Sequence, residues 1–159
     1  MKNKKVQFLL HAAMIAAIYV VLTYLFAPFS FGEIQVRIAE ALTILPIFTP
    51  AAIPGLFIGC LIGNMLAGAI LPDIICGSLA TLIGALCTYL LRNTIPYIAV
   101  LPPIISNTVI VPLVLQKAYG INLPLYFLMV TVGIGEFISC GVLGLILYRT
   151  LSKYKSIIF

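Results

Sequence analysis

Four carboxylates are the first candidates for chemistry in this chain, because almost everything around them is hydrocarbon. The chain is 63% hydrophobic and only 8% charged, and its acidic residues are Glu33, Glu40, Asp73 and Glu136. A carboxylate at the centre of a membrane helix costs roughly 2.5–3.5 kcal/mol on insertion scales. A ligand with a positive charge or several hydrogen-bond donors would offset this cost. We therefore expect the acids to form a binding site for such a small molecule.

Glu136 is the strongest of these candidates. It lies between Gly135 and Phe137 in an apolar segment, and no basic residue stands three or four positions away. An ionisable side chain without a partner inside a membrane helix is a functional-site hypothesis by default.

The other acids have structural alternatives. Glu33, Arg37 and Glu40 are spaced four and three apart, so on a helix they share a face and could pair with each other. Asp73 follows Leu-Pro and opens an apolar run, where a carboxylate could cap a helix or stabilise its dipole. These alternatives stay open beside a binding role.

Two amides complete the set of polar residues at depth. Asn64 and Asn107 both fall in apolar segments. An amide offers a donor and an acceptor together, which suits the edge of a heterocycle. Hydrogen bonding between helices is the competing role for both residues.

Several classes of function lack the residues they need. His11 is the only histidine, and the four cysteines form no CxxC pair, so we predict no metal site and no cofactor. We interpret the cysteines as small buried hydrophobes. There is no G-x-x-x-x-G-K-[ST] phosphate loop and no Ser/His/Asp set, so we predict neither ATP use by that route nor an enzyme.

The segments that must position these residues predict an all-α integral membrane protein in a single domain, 1–159. A spanning helix needs about 20 apolar residues, and prolines mark the turn between two of the segments. Six transmembrane helices are predicted, over 6–27, 35–48, 51–67, 72–92, 98–116 and 123–151.

The basic residues predict the orientation of these helices. Six of the nine Lys and Arg residues lie near the two termini, beside lipid spans, which argues for the positive-inside rule and against nucleic-acid binding. An even number of passes then places both termini in the cytoplasm. Arg92 falls on the same side, Arg37 and Lys117 fall outside, and all four acids point to the outer half of the protein.

Small residues recur at helical spacing in two of the helices. Such rows allow close approach of helix backbones in lipid. We predict that the glycine row of the third helix (Gly55, Gly59 and Gly63, continued by Ala67) packs internally, whereas two alanine rows of the first helix could equally face a partner protein. The alanine rows are Ala12 with Ala16 and Ala13 with Ala17.

Several blocks together resemble the QueT family, the substrate-binding S-components of energy-coupling-factor (ECF) transporters assigned to queuosine precursors. The resemblance covers nearly the whole chain. The matching blocks are 31–46 with Gln35, Arg37 and Glu40, 49–60 followed by Asn64, 73–82 with Asp73, Pro102-Pro103 with Asn107, and Gly133-Ile-Gly-Glu136.

The resemblance implies a six-helix protein of the prokaryotic cell membrane that takes up a micronutrient. Members of that class bind their substrate near the outer face and dock through the first helix onto a transmembrane coupling protein. Two cytosolic ATPases drive import, which would explain the missing phosphate loop. The implied docking surface is Ala12, Ala13, Ala16 and Ala17.

The substrate implied by the resemblance is 7-aminomethyl-7-deazaguanine. Its protonated amine would pair with a carboxylate, and its guanine-like edge would donate two hydrogen bonds to one carboxylate. The implied binding residues are Glu136, Asp73, Glu40, Asn107, Arg37, Asn64 and Gln35. Which acid takes the amine stays open, as do three alternatives: another vitamin or deazapurine, a solitary proton-coupled carrier, and an intramembrane enzyme with paired carboxylates.

Overall fold

In a computed structural model the chain forms a bundle of helices, described over residues 2–30 and 36–154. Within these residues there is no β-strand. The elements are α1 (Lys2–Leu25), α2 (Ala27–Ser30), a 3₁₀ helix (Ile38–Ile47), α3 (Ala52–Leu66), α4 (Leu71–Leu90), α5 (Pro96–Ala99), α6 (Leu101–Lys117), α7 (Leu125–Glu136), a π-helix (Phe137–Leu143) and α8 (Gly144–Ser152).

Four stretches of the described chain are long and apolar enough to cross a membrane. They are Asn3–Leu25, Leu71–Leu90, Pro96–Lys117 and Leu125–Ser152. The predicted all-α membrane protein is confirmed to this extent. The second and third predicted helices are shorter: α3 has 15 residues, about 22 Å at 1.5 Å per residue, against a hydrocarbon core of about 30 Å.

The helices pack in series, each against the next. Helix α1 packs on α3, α3 on α4, α4 on α6 and α6 on α7. The glycine row of α3 explains the first contact, since a Cβ atom at Gly55 would lie 2.7 Å from the carbonyl oxygen of Ala12. At Gly59 it would lie 2.8 Å from the Cβ atom of Tyr19. The glycine row therefore packs internally, as predicted.

The 3₁₀ helix lies at the centre of the bundle. It contacts α1, α3, α4, α8 and the π-helix, and eight of its residues are buried. A 3₁₀ helix has about three residues per turn, so side chains three positions apart eclipse each other. Arg37, which precedes the first turn, is thus in register with Glu40 and Thr43. The sequence prediction assumed α-helical spacing here.

Candidate functional site

The three acids within the described chain are all buried between helices. Glu40 is 0% exposed, Asp73 is 2% exposed and Glu136 is 2% exposed. They come from three different elements: the central 3₁₀ helix, the first turn of α4 and the last residue of α7. Carboxylates at this depth need partners, because removing a charge from water is expensive.

Glu40 has partners for only one of its two oxygens. Oε1 accepts hydrogen bonds from the Tyr19 hydroxyl and, at 3.0 Å, from Thr81 Oγ1. Oε2 is buried and accepts no hydrogen bond from any residue that the structure describes. The Glu40 side chain is thus held in place by two neutral donors while half of its carboxylate stays available.

Glu136 faces Glu40 across the centre of the bundle. One oxygen of each carboxylate and the Cys140 Sγ atom all lie within 4.8 Å of one another. Cys140 donates its thiol hydrogen to Glu136 Oε2 at 3.3 Å. Glu136 is also the last residue before the π-helix, a form of helix that occurs frequently at functional sites. We call Glu40 and Glu136 the carboxylate pair.

Asn107 of α6 lies beside the carboxylate pair. Its side chain is 1% exposed and close to the Glu136 carboxylate. Neither its Oδ1 nor its Nδ2 atom makes a hydrogen bond of ordinary geometry within the described chain. A buried polar group without a partner costs about 1–3 kcal/mol, so this amide is best explained by a ligand.

Asp73 belongs to a second group of polar side chains. It lies in the first turn of α4 but makes no side-chain capping hydrogen bond there, so the capping alternative is wrong, whereas its position still suits the alternative of stabilising the helix dipole. Its Oδ2 atom accepts a hydrogen bond from the Tyr119 hydroxyl at 3.0 Å, and its Oδ1 atom lies 3.8 Å from Arg37 Nη2. Burial, and then the Asp73 charge, raise the pKa of Tyr119, which keeps this phenol protonated as a donor.

Arg37, Asp73 and Asn64 converge on Gly77 of α4. A Cβ atom at Gly77 would lie 3.3 Å from Asn64 Nδ2, 3.5 Å from Asp73 Oδ1 and 3.7 Å from Arg37 Nη1. Glycine at this position therefore keeps the space between three polar side chains clear. We call Arg37, Asp73 and Asn64 the Arg37 cluster.

Cys60 of α3 connects the Arg37 cluster to the carboxylate pair. Its sulfur accepts a hydrogen bond at 3.5 Å from Asn64 Nδ2, and its thiol lies 3.5 Å from Thr81 Oγ1, which can only accept there because its single hydrogen goes to Glu40. Thr81 in turn donates to Glu40. The two groups are thus parts of one polar network inside an apolar bundle.

The network contains every predicted substrate-binding residue except Gln35. Gln35 and Glu33 lie outside the described residues. Sequence reasoning missed Tyr19 and Thr81 as ligands of Glu40. It also predicted Cys60 and Cys140 as buried hydrophobes; both are buried, but their thiols make polar contacts.

The oxygens and sulfur of Glu40, Glu136 and Cys140 are close enough to share a metal ion. A search for closely spaced cysteines and histidines does not find this group, because its members are far apart in the sequence. The donor set is equally suited to an organic cation, and the absence of a metal site stays a prediction.

The predicted docking residues divide between two environments. Ala12 and Ala16 lie against α3, where Ala16's carbonyl oxygen would be 3.0 Å from a Cβ atom at Gly59. Ala13 and Ala17, each one position further along the helix, are exposed. Helix packing within the chain therefore explains Ala12 and Ala16, and Ala13 and Ala17 stay available to a partner.

An apolar groove of about 300 Å³ lies between α1, the 3₁₀ helix and α8. Its lining offers a heterocycle no hydrogen-bonding group apart from His11, so it is unsuited to a polar ligand. The lining residues are His11, Met14, Ile15, Ile18, Leu42, Leu45, Leu147 and Leu151.

Comparisons with known proteins give one family and one curated relative. The model of a family described as QueT transporter matches residues 9–153. A protein of Lactococcus lactis subsp. cremoris (strain MG1363), named "Queuosine precursor transporter QueT", is 36% identical over 85 residues, which are 52% of this chain and 50% of that protein. The chain thus spans about half the length of the curated relative it matches. No solved structure gives a significant match.

Proposed function

We propose that this chain, which belongs to the QueT transporter family, is the membrane-embedded substrate-binding subunit of an ATP-driven ECF importer. It captures 7-aminomethyl-7-deazaguanine from outside the cell and delivers it inward. Membership of the family confirms the resemblance in the sequence. Since the family is one of transporters, the chain is a membrane protein and is not an enzyme, as predicted.

The carboxylate pair is the observation that carries the substrate proposal. One oxygen of each buried acid lies within 4.8 Å of the other, and Glu40 Oε2 and Asn107 Oδ1 accept no hydrogen bond from any residue of the described chain. A ligand with a protonated amine and a donor-rich ring supplies the partners that these groups lack. The name of the Lactococcus lactis relative supports the same class of substrate.

Coupling to ATP hydrolysis would come from other proteins. The chain has no phosphate loop of its own, and exposed Ala13 and Ala17 offer a small-residue surface on α1. We expect this surface to dock onto a transmembrane coupling protein that binds two cytosolic ATPases. The Lys and Arg residues near both termini support cytoplasmic termini, which an arrangement of six membrane-embedded helices would provide.

Mass spectrometry of small molecules that co-purify with the chain tests the substrate proposal. The expected result is 7-aminomethyl-7-deazaguanine, whose binding to the emptied protein is then measured by titration. A neutral vitamin that co-purifies and binds saturably would contradict the proposal and favour another S-component specificity.

A solitary proton-coupled carrier is the second candidate function. The close approach of Glu40 and Glu136 favours it, because such a pair is suited to exchanging a proton for a cation. Liposomes that contain only this chain distinguish the two. An S-component binds substrate there without net accumulation, whereas uptake driven by a pH gradient would establish the carrier.

A further inference from the structure

We infer that the site has two subsites: the carboxylate pair and Asn107 hold the protonated amine, and the Arg37 cluster holds the planar edge of the ring. This division rests on the proposed function, which by itself leaves the role of each acid open. It follows from the charges around the acids, from the hydrogen-bonding groups they leave open and from the convergence of three polar side chains at Gly77.

The charges distinguish Asp73 from the carboxylate pair. Asp73 already has a cationic neighbour, since Arg37 Nη2 lies 3.8 Å from its Oδ1 atom. Arg37 is also the only base among the buried residues of the described chain. The partners that fix Glu40 are two neutral hydroxyls, and the partner of Glu136 is a thiol. A cation gains most where two carboxylates face each other without a dedicated base.

The hydrogen-bonding groups around the carboxylate pair match an ammonium group. A primary ammonium has three N–H donors and no acceptor. Glu40 Oε2 and Asn107 Oδ1 are buried acceptors without a partner in the described chain, and the Glu136 carboxylate beside them provides a third. The Asn107 amide nitrogen, close to the Glu136 carboxylate, helps to hold that group in place.

The Arg37 cluster matches the flat edge of a guanine-like ring instead. That edge presents an N–H and an amino group side by side, beside a carbonyl oxygen. Asp73 Oδ1 is buried without a hydrogen bond and can accept from the edge, while Arg37 and Asn64 carry donors for the carbonyl. The three polar groups converge beside Gly77, where each lies within 3.7 Å of the position of a Cβ atom, so one planar edge could contact all of them.

Two probes that share the ring, of which only one carries the ammonium group, test this division. The full chain, purified in detergent, is titrated with 7-aminomethyl-7-deazaguanine and with 7-methyl-7-deazaguanine, which keeps the ring but lacks the amine. We expect the unmodified chain to bind the amine probe with about 10- to 100-fold higher affinity than the methyl probe. This ratio corresponds to the free energy of one hydrogen bond to a charged group.

The variants Glu136→Gln and Asp73→Asn then separate the subsites. Glu136→Gln should weaken the amine probe and leave the methyl probe nearly unchanged, so the preference disappears. Asp73→Asn should weaken both probes by the same factor and keep the preference. Glu40→Gln serves in place of Glu136→Gln if that variant fails to fold, as judged by thermal unfolding.

The possible failures are distinguishable. If the unmodified chain binds neither probe, the proposed function itself is wrong. If it binds both equally, or if Asp73→Asn removes the preference while Glu136→Gln keeps it, only the division into subsites is overturned.

Discussion

Tyr19 and Thr81 determine how Glu40 is presented at the centre of the bundle. Both hydroxyls donate to Oε1, from α1 and from α4, and this leaves Oε2 for a ligand. The two residues act on the ligand through Glu40, so they are positioning residues. Their hydrogen bonds also tie two helices to the central 3₁₀ helix, which makes the carboxylate geometry depend on correct packing.

Removing the Tyr19 hydroxyl should therefore weaken substrate binding without unfolding the protein. Tyr19→Phe keeps the ring that fills the core and removes one hydrogen bond to a carboxylate. A hydrogen bond to a charged group contributes about 1.5–3 kcal/mol. We expect about a tenfold or greater loss of affinity for 7-aminomethyl-7-deazaguanine, measured by titration. Tyr126→Phe, at a side chain that is 72% exposed, is the matched control and should change nothing. Equal affinities for both variants would exclude Tyr19 from the positioning of Glu40.

The sequence was most informative about residues that are rare in lipid. Glu40, Asp73, Glu136 and the two asparagines could be predicted because each is expensive in an apolar segment. Tyr19 and Thr81 could not, because tyrosine and threonine are inexpensive there and only the tertiary contact with Glu40 reveals their role. Arg37 was expected to pair with Glu33 or Glu40; within the described residues it forms an ion pair with Asp73 of α4, which the sequence spacing did not indicate.

At the scale of elements, two departures from the α-helix shape the site. The 3₁₀ helix brings Arg37, Glu40 and Thr43 into register, and the π-helix begins directly after Glu136. Hydropathy and prolines predicted where the helices begin and end, but they do not distinguish these helix types. The reason is that both elements lie in largely apolar segments. In such segments the pattern of apolar and polar residues does not reveal whether the helix has three, 3.6 or more residues per turn.

The contact between α4 and α6 holds Asp73 and Asn107 in one framework, and it depends on Gly84. A Cβ atom there would lie 2.7 Å from the Cα atom of Pro103, which is backbone and cannot rotate away. Gly84→Ala should therefore destabilise the fold by about 1–3 kcal/mol and lower the temperature of unfolding in detergent.

Gly133→Ala is the control for this prediction. Its Cβ atom would lie 3.4 Å from Thr108 Cγ2, an ordinary contact between α7 and α6. We expect it to unfold near the temperature of the unmodified chain. If Gly84→Ala is equally stable, the close α4–α6 packing described above is incorrect.

At the scale of the whole molecule, binding and coupling are assigned to opposite faces of α1. Tyr19 points inward to Glu40, whereas Ala13 and Ala17 are exposed. The proposed importer would therefore bind substrate in the bundle and meet its coupling protein on the outside of the same helix. Burial of Ala12 and Ala16 against α3 could not be predicted from the sequence, because both alanine rows have the same spacing.

Ala17→Trp should separate the two functions. A bulky side chain on this face should prevent assembly with the coupling protein, because small residues permit close helix approach. Substrate affinity of the isolated chain should stay unchanged. Co-purification with the coupling protein measures assembly, and Val130→Trp, at a lipid-facing side chain that is 57% exposed, is the control. Normal assembly of Ala17→Trp would place the docking surface elsewhere.

The central claim is that a buried carboxylate pair binds a cationic deazapurine, and titration calorimetry of the purified chain with 7-aminomethyl-7-deazaguanine tests it most directly. We expect saturable binding to one site in the unmodified chain, and affinity about 10- to 100-fold lower in a Glu136→Gln variant that still unfolds cooperatively. Unchanged affinity in the folded Glu136→Gln variant would contradict it.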